Sequence, residues 1–154
     1  MTQNNQNQPS QNVQINAQYI KDFSFEAPNM PFVLMEMKSA PEIAVNIDLK
    51  AGKTQNKNVF TVDLSLRLDA KIKEVNKSLF LCELVYGALV TLDTPEEARE
   101  AILMVEIPHL IFPYARAIVA NAIREAGLPA LQINPIDFTG LYRAKLAEKE
   151  KAAN

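Results

Sequence analysis

The order of hydrophobic periods in this chain of 154 residues predicts an α+β domain, a four-stranded antiparallel sheet with helices packed on one face. Three observations carry that reading. Period-two alternation, the repeat of a half-buried strand, recurs in four stretches between residues 19 and 92. The clearest stretch sets Phe60, Val62, Leu64, Leu66, Leu68, Ala70 and Ile72 against Thr61, Asp63, Ser65, Arg67, Asp69 and Lys71, and one wet face argues for antiparallel pairing. After Thr94 the punctuation and apolar spacing turn helical.

Between Gln3 and Gln18 eleven of sixteen residues are Asn or Gln, too polar to offset the entropy of ordering. Residues 1–18 are therefore expected to be a disordered tail, 19–147 a single domain, and 148–154 a flexible charged tail. The first strand, 19–26, places Tyr19, Phe23 and Phe25 on one face and Ile20, Asp22, Ser24 and Glu26 on the other. Residues 27–41 hold three prolines and no period, yet are apolar through Met30, Phe32, Val33, Leu34, Met35 and Met37. Connections this long are usually functional or disordered; here the apolar residues either form a binding surface or cover the core. Residues 42–50 make the second strand, burying Ile43, Val45, Ile47 and Leu49 with Asn46 and Asp48 outward. A polar loop leads to the third strand at residue 60. The fourth, from 78 to about 92, sets Phe80, Cys82, Leu84 and Tyr86 opposite Leu79, Leu81, Glu83 and Val85. Leu81 and Val85 thus make an apolar spot beside Glu83 on an otherwise polar outer face.

Thr94 with Glu97 is a capping-box pattern, and Pro95 suits a first helical position. Pro108 and Pro113 predict a break over 107–112 with a restart at Pro113; Gly127 and Pro129 end the segment. From Tyr114 to Ile123 the only polar residues are Arg116 and Asn121. Such a helix buries two faces, either against another subunit or beneath a well-covered core. Asn134 as cap, Pro135 at the first position and Asp137 in the first turn predict a last helix with Phe138, Leu141, Tyr142 and Leu146 as its stripe.

A net charge of −2 and a pI near 5.5 offer no basic stripe for nucleic acid. The opening residues lack a signal-peptide pattern, no uninterrupted apolar run reaches the roughly 18 residues of a bilayer span, and the single Cys82 makes no internal disulfide. The expected setting is the cytoplasm, without direct membrane insertion. His109 stands alone and cannot build a metal site. Cys82 lies mid-strand among apolar residues, as a small buried hydrophobe does. Four glycines write no phosphate-cradling loop. No enzyme and no cofactor are expected.

The stretches SFEAPN at 24–29, FLCEL at 80–84, LIFPYAR at 110–116 and LPALQINPIDF at 128–138 resemble the SecB family of bacterial export chaperones in order and spacing, over about 19–146. The resemblance implies an ATP-independent cytosolic chaperone that holds unfolded precursor proteins and delivers them to the translocation ATPase SecA. It also implies a homotetramer, a dimer of dimers with the long helices between opposed sheets. The family's SecA-docking residues fall on Asp22, Glu26, Leu81 and Glu83. Interface candidates are Phe80, Cys82, Leu84, Tyr86, Tyr114, Ile118, Ala120 and Ala122; at Tyr86 the chain departs from a position that is commonly polar. For clients, the adaptable row Met30, Phe32, Leu34, Met35 and Met37 is one expected wall, with Phe138 and Tyr142 opposite. The alternative is a small-molecule-binding or enzymatic α+β domain with a pocket between sheet and helices.

Overall fold

In a computed structural model, which describes residues 12–154, the alternating runs pair as β1 (Asn12–Glu26), β2 (Glu42–Lys53), β3 (Val59–Ile72) and β4 (Lys77–Asp93). All neighbours are antiparallel and the order across the sheet is β1-β4-β3-β2. The two most apolar strands occupy the centre, where Val62, Leu64, Leu66, Leu68, Phe80, Cys82 and Leu84 are fully buried on the inner face. The edge strands are less covered; Val45 of β2 points inward yet stays exposed.

β1 begins seven residues before the expected start at Tyr19. Residues 12–18, expected as disordered tail, pair with β4 from Asn12↔Asp93 to Gln18↔Ala88. Backbone pairing does not require apolar side chains, and Val13 and Ile15 supply enough inner face to pack against the core. Residues 1–11 of that expected tail lie outside the described residues. A bulge between Ile20 and Asp22 also resets the alternation, because one extra residue on one strand flips every face beyond it. Tyr19 consequently lies over Gly87, where an added Cβ would sit 2.5 Å from the ring, and Ile20 pairs with Tyr86 on the inner face. These two residues exchange the faces expected of them; Asp22, Ser24 and Glu26 stay outer, Phe23 and Phe25 inner.

The connection 27–41 carries one short helix, α1 (Val33–Glu36), pinned by buried Val33 and by the Lys77–Glu36 ion pair at 2.9 Å. After β4, α2 (Glu96–Ala101), a π-helical turn (Ile102–Glu106) and α3 (Ile107–Glu125) run on as one helix of 30 residues. The expected break at 107–112 does not occur. The ladder widens instead, with the Ile107 N–H donating five residues back to Ile102 O. Pro108 then falls in the first turn of α3, and Pro113 removes one bond on an exposed side. The capping box does not form either: Pro95 is the N-cap with no side-chain bond, and Thr94 turns inward, its carbonyl accepting from Arg99 Nε at 3.3 Å. By length and composition Glu96–Glu125 is long and apolar enough to cross a membrane, unlike any uninterrupted apolar run in the sequence. Its buried stripe, Ile107, Ile111, Ala115, Val119 and Ile123, packs against the sheet.

α3 stops as expected at Gly127, whose φ of 82° glycine adopts without strain. The Gly127 N–H donates to Arg124 O at 3.0 Å and the Leu128 N–H to Ile123 O at 3.3 Å. The last helix, α4 (Phe138–Ala153), starts later than expected. Its cap is Asp137, whose Oδ1 accepts from the Gly140 N–H at 3.0 Å, rather than Asn134. It also continues through the expected flexible tail to Ala153, tied by Lys145 to Asp48 at 3.0 Å and by Lys149 to Glu100 at 3.5 Å.

Candidate functional site

The Leu128 turn at the end of α3 builds one wall of an open groove. Because the Leu128 N–H is bonded back to Ile123 O, the chain folds over Ile123 and lays Pro129–Leu131 beside it. The opposite wall is the end of the long connection, Met37 to Pro41, continuing into Ile43 of β2. Leu79 and Phe80 make the floor, and Phe80 is held flat by Phe25, ring centroids 5.3 Å apart and planes 20° from parallel. The cavity holds about 620 Å³ and its only ionisable lining residue is Lys38. Ser39 at its rim donates to Glu74, which holds that carboxyl below its usual range. Apolar walls with few polar groups bind apolar segments and offer no proton-transfer pair.

Of the residues expected to meet clients, Met37 alone lines this groove. Phe32 and Met35 stand on the surface of α1 and its approach at 72% and 85% exposure, Leu34 is exposed, and Met30 is half-buried. Tyr142 is half-buried on α4. Phe138 is not a wall: it is buried, edge-on to Phe112 with centroids 6.0 Å apart. The sequence reading missed Ile43, Ile123, Leu128 and Leu131. The Gly127 turn was the signal that could have found Ile123 and Leu128, since a closed helix end carries an apolar contact between the residue after the glycine and the last turn.

On the opposite face of the sheet, register brings the expected docking residues together. Three neighbouring rows read Asp22, Val85, Ser65, Asp48; Ser24, Glu83, Arg67, Asn46; and Glu26, Leu81, Asp69, Ala44. Asp22, Glu26, Leu81 and Glu83 are thus adjacent on one surface. Asp69 and Asp48 join them across β3 and β2, residues the single-strand reading could not bring in. Glu83 is bonded to Arg67, Nη1 to Oε1 at 2.6 Å, with each side chain 47% exposed. A depression of about 310 Å³ opens beside this pair, lined by Asp22, Asp48 and Val85 among others. Lys145 Nζ reaches Asp48 from α4 and also donates to Leu49 O at 2.6 Å.

A family model described as preprotein translocase subunit SecB matches residues 4–149. A protein-export protein SecB of Paramagnetospirillum magneticum is 44% identical over 137 residues, 88% of this chain and 86% of that one. A second, of Gluconacetobacter diazotrophicus, is 42% identical over 154 residues, covering 95% and 90%. This chain belongs to the SecB family. It is accordingly a chaperone of protein export. The match starts inside the Asn/Gln-rich head, earlier than the resemblance at 19–146 implied. The fold is shared with the Mycobacterium tuberculosis Rv1957 SecB-like chaperone, solved in complex with a ChAD peptide from the Rv1956 HigA1 antitoxin: TM-score 0.66 at 15% identity, over 81% of this chain and 91% of that one.

The interface residues expected in this SecB-family chain divide in two. Phe80, Cys82, Leu84 and Tyr86 are buried in the chain's own core. The alternation that made them a row also turned that row toward α3. Burial pushes the Cys82 thiol up to about 11, as expected of an inert small hydrophobe, and burial also raises Tyr86, whose hydroxyl donates to Gln18 at 3.3 Å. On α3, Tyr114 is 55% exposed while Ile118, Ala120 and Ala122 are half-buried. Leu110 at 53% lies one helical turn before Tyr114, and Ile20 and Phe23 are exposed on the inner face of β1. Those three are apolar surface that the sequence reading did not single out.

Proposed function

We propose that this chain holds unfolded precursor proteins in the cytoplasm without ATP and hands them to SecA. The observation that carries the reading is the open apolar groove between Met37–Pro41 and Leu128–Leu131, whose floor is the stacked Phe80. Extended apolar segments of an unfolded chain fit such a surface without sequence selection, and Met37 can repack to suit each. Phe32, Leu34 and Met35 are exposed apolar side chains on the same connection, outside the groove lining. The peptide complex of the Rv1957 chaperone supports peptide binding by this fold.

Four copies, as a dimer of dimers, would bring several grooves to one client and raise the effective concentration at the second and later sites. Support for assembly comes from Leu110, Tyr114, Ile20 and Phe23, apolar side chains that the described chain leaves uncovered. The acidic outer rows around Leu81 would receive SecA, since clustered surface charges speed and orient association. Aggregation of a denatured precursor, followed by light scattering with no nucleotide present, tests the reading. Suppression at near-stoichiometric protomer concentration is expected, and loss of suppression in Ile43→Asp/Leu131→Asp with the fold retained. Undiminished suppression by that variant would remove the groove from the account.

A further inference from the structure

The outer face carries an internal occupant of its own acidic surface. Across the three rows there are twelve positions, five carboxylates (Asp22, Asp48, Asp69, Glu26, Glu83) and one cation, Arg67, at the centre. Arg67 is not spread over the surface; its Nη1 sits 2.6 Å from Glu83 Oε1, at the edge of the depression that Asp22 and Asp48 also line. Asp48 is engaged from α4 by Lys145. Among the described residues Asp22, Glu26 and Asp69 form no ion pair. The one carboxylate that lies beside Leu81 in the middle row is therefore already holding a guanidinium.

We infer that Arg67 is a built-in competitor for the docking face, occupying Glu83 as a basic side chain of SecA would and so weakening and speeding the release of that partner. The inference rests on the reading that SecA docks on these rows. A guanidinium is the group best matched to a carboxylate, so a partner's cation gains Glu83 only by displacing an equivalent bond. Removing Arg67 frees Glu83 and takes the twelve positions from five acids and one base to five acids alone, which favours approach of a basic surface. Both side chains are half in water, so the pair is of the weak exposed kind. Its loss as a competitor corresponds to an affinity gain of about two- to fivefold.

The test is calorimetry of purified SecA against the full chain, wild type and variants, at low and high salt. Arg67→Thr, with a β-branched side chain suited to the strand, is expected to bind about two- to fivefold more tightly at low salt, and the gain should vanish at high salt. Arg67→Lys keeps the competing charge and should match wild type. In a Glu83→Gln background Arg67→Thr should give a smaller gain than in wild type, only that of the more negative surface, because no carboxylate is left to release. Asp22→Lys/Glu26→Lys checks the docking face itself. If that pair weakens binding while Arg67→Thr leaves it unchanged or weaker, Arg67 is no competitor and the inference is overturned alone. If Asp22→Lys/Glu26→Lys binds as wild type does, the docking face is elsewhere and the inference falls with it.

Discussion

Replacing Phe138 by alanine distinguishes a core residue from a client-facing one. Phe138 opens α4, is 3% exposed, and meets Phe112 edge-on at 6.0 Å. Phe→Ala in a core costs about 3–5 kcal/mol, the transfer of the ring plus the cavity left behind. The rest of α4 is only half-buried through Leu141, Tyr142 and Leu146, so the helix can settle into part of the space, and the lower end applies, about 3 kcal/mol. For a domain of this size that lowers the melting midpoint by about 6–12 °C. The assay is thermal unfolding at equal protomer concentration, since assembly shifts apparent stability. Phe32→Ser and Met35→Ser, at 72% and 85% exposure, serve as controls and should each move stability by less than about 0.5 kcal/mol. A Phe138→Ala protein that melts with wild type yet loses client binding would refute the reasoning and return Phe138 to the surface role that its position on the apolar stripe suggested.

Assembly should depend on the exposed side of α3: Leu110→Asp/Tyr114→Asp is expected to lower the mass measured by light scattering after size exclusion, whereas Asn121→Asp, on a polar exposed position, should leave it unchanged. The buried Cys82 thiol, raised to about 11, should resist an aromatic disulfide reagent at pH 8 in the native protein and react promptly once unfolded in urea. Lys145 holds the Asp48 carboxyl below its unfolded value of 3.8. That stabilisation is fully present above pH 3.8 and is lost as the pH falls below it through the folded value. Protection factors of α4, corrected for intrinsic exchange at each pH, should accordingly fall at pH 3 relative to pH 6 in wild type, and be low at both in Asp48→Asn.

The central strands were readable because a side-chain period of two and a single buried face leave one register: every inner residue of the Phe60–Ile72 run is buried. The end of α3 was readable for a similar reason, since Gly127 supplies a conformation other residues resist. What escaped depends on the backbone adjusting in ways that composition does not encode. The bulge after Ile20 exchanges the faces of Tyr19 and Ile20 without altering the letters on either side. The π turn absorbs Pro108, so a proline that reads as a break sits in a continuous helix. Asn12 to Gln18 look unstructured by composition, yet β4 offers them a ladder interrupted only at Asn16. The acidic outer rows were half legible: alternation turns Asp22, Glu26 and Glu83 outward, while Asp69 and Arg67 join only through cross-strand register. The groove was least legible, because its walls come from residues 37–43 and 128–131, brought together by the closed end of α3.

The methionines supply the most direct measurement of the central claim, that clients lie in the groove. Met37 lines it, Met35 stands clear of it on α1, and Met104 is buried in the π turn. With methionine methyl groups isotopically labelled, NMR spectra are recorded as an unfolded precursor is added. The Met37 methyl should shift or broaden at the lowest client ratios, while Met104 stays fixed. Client binding that perturbs Met104 or leaves Met37 untouched would contradict the account.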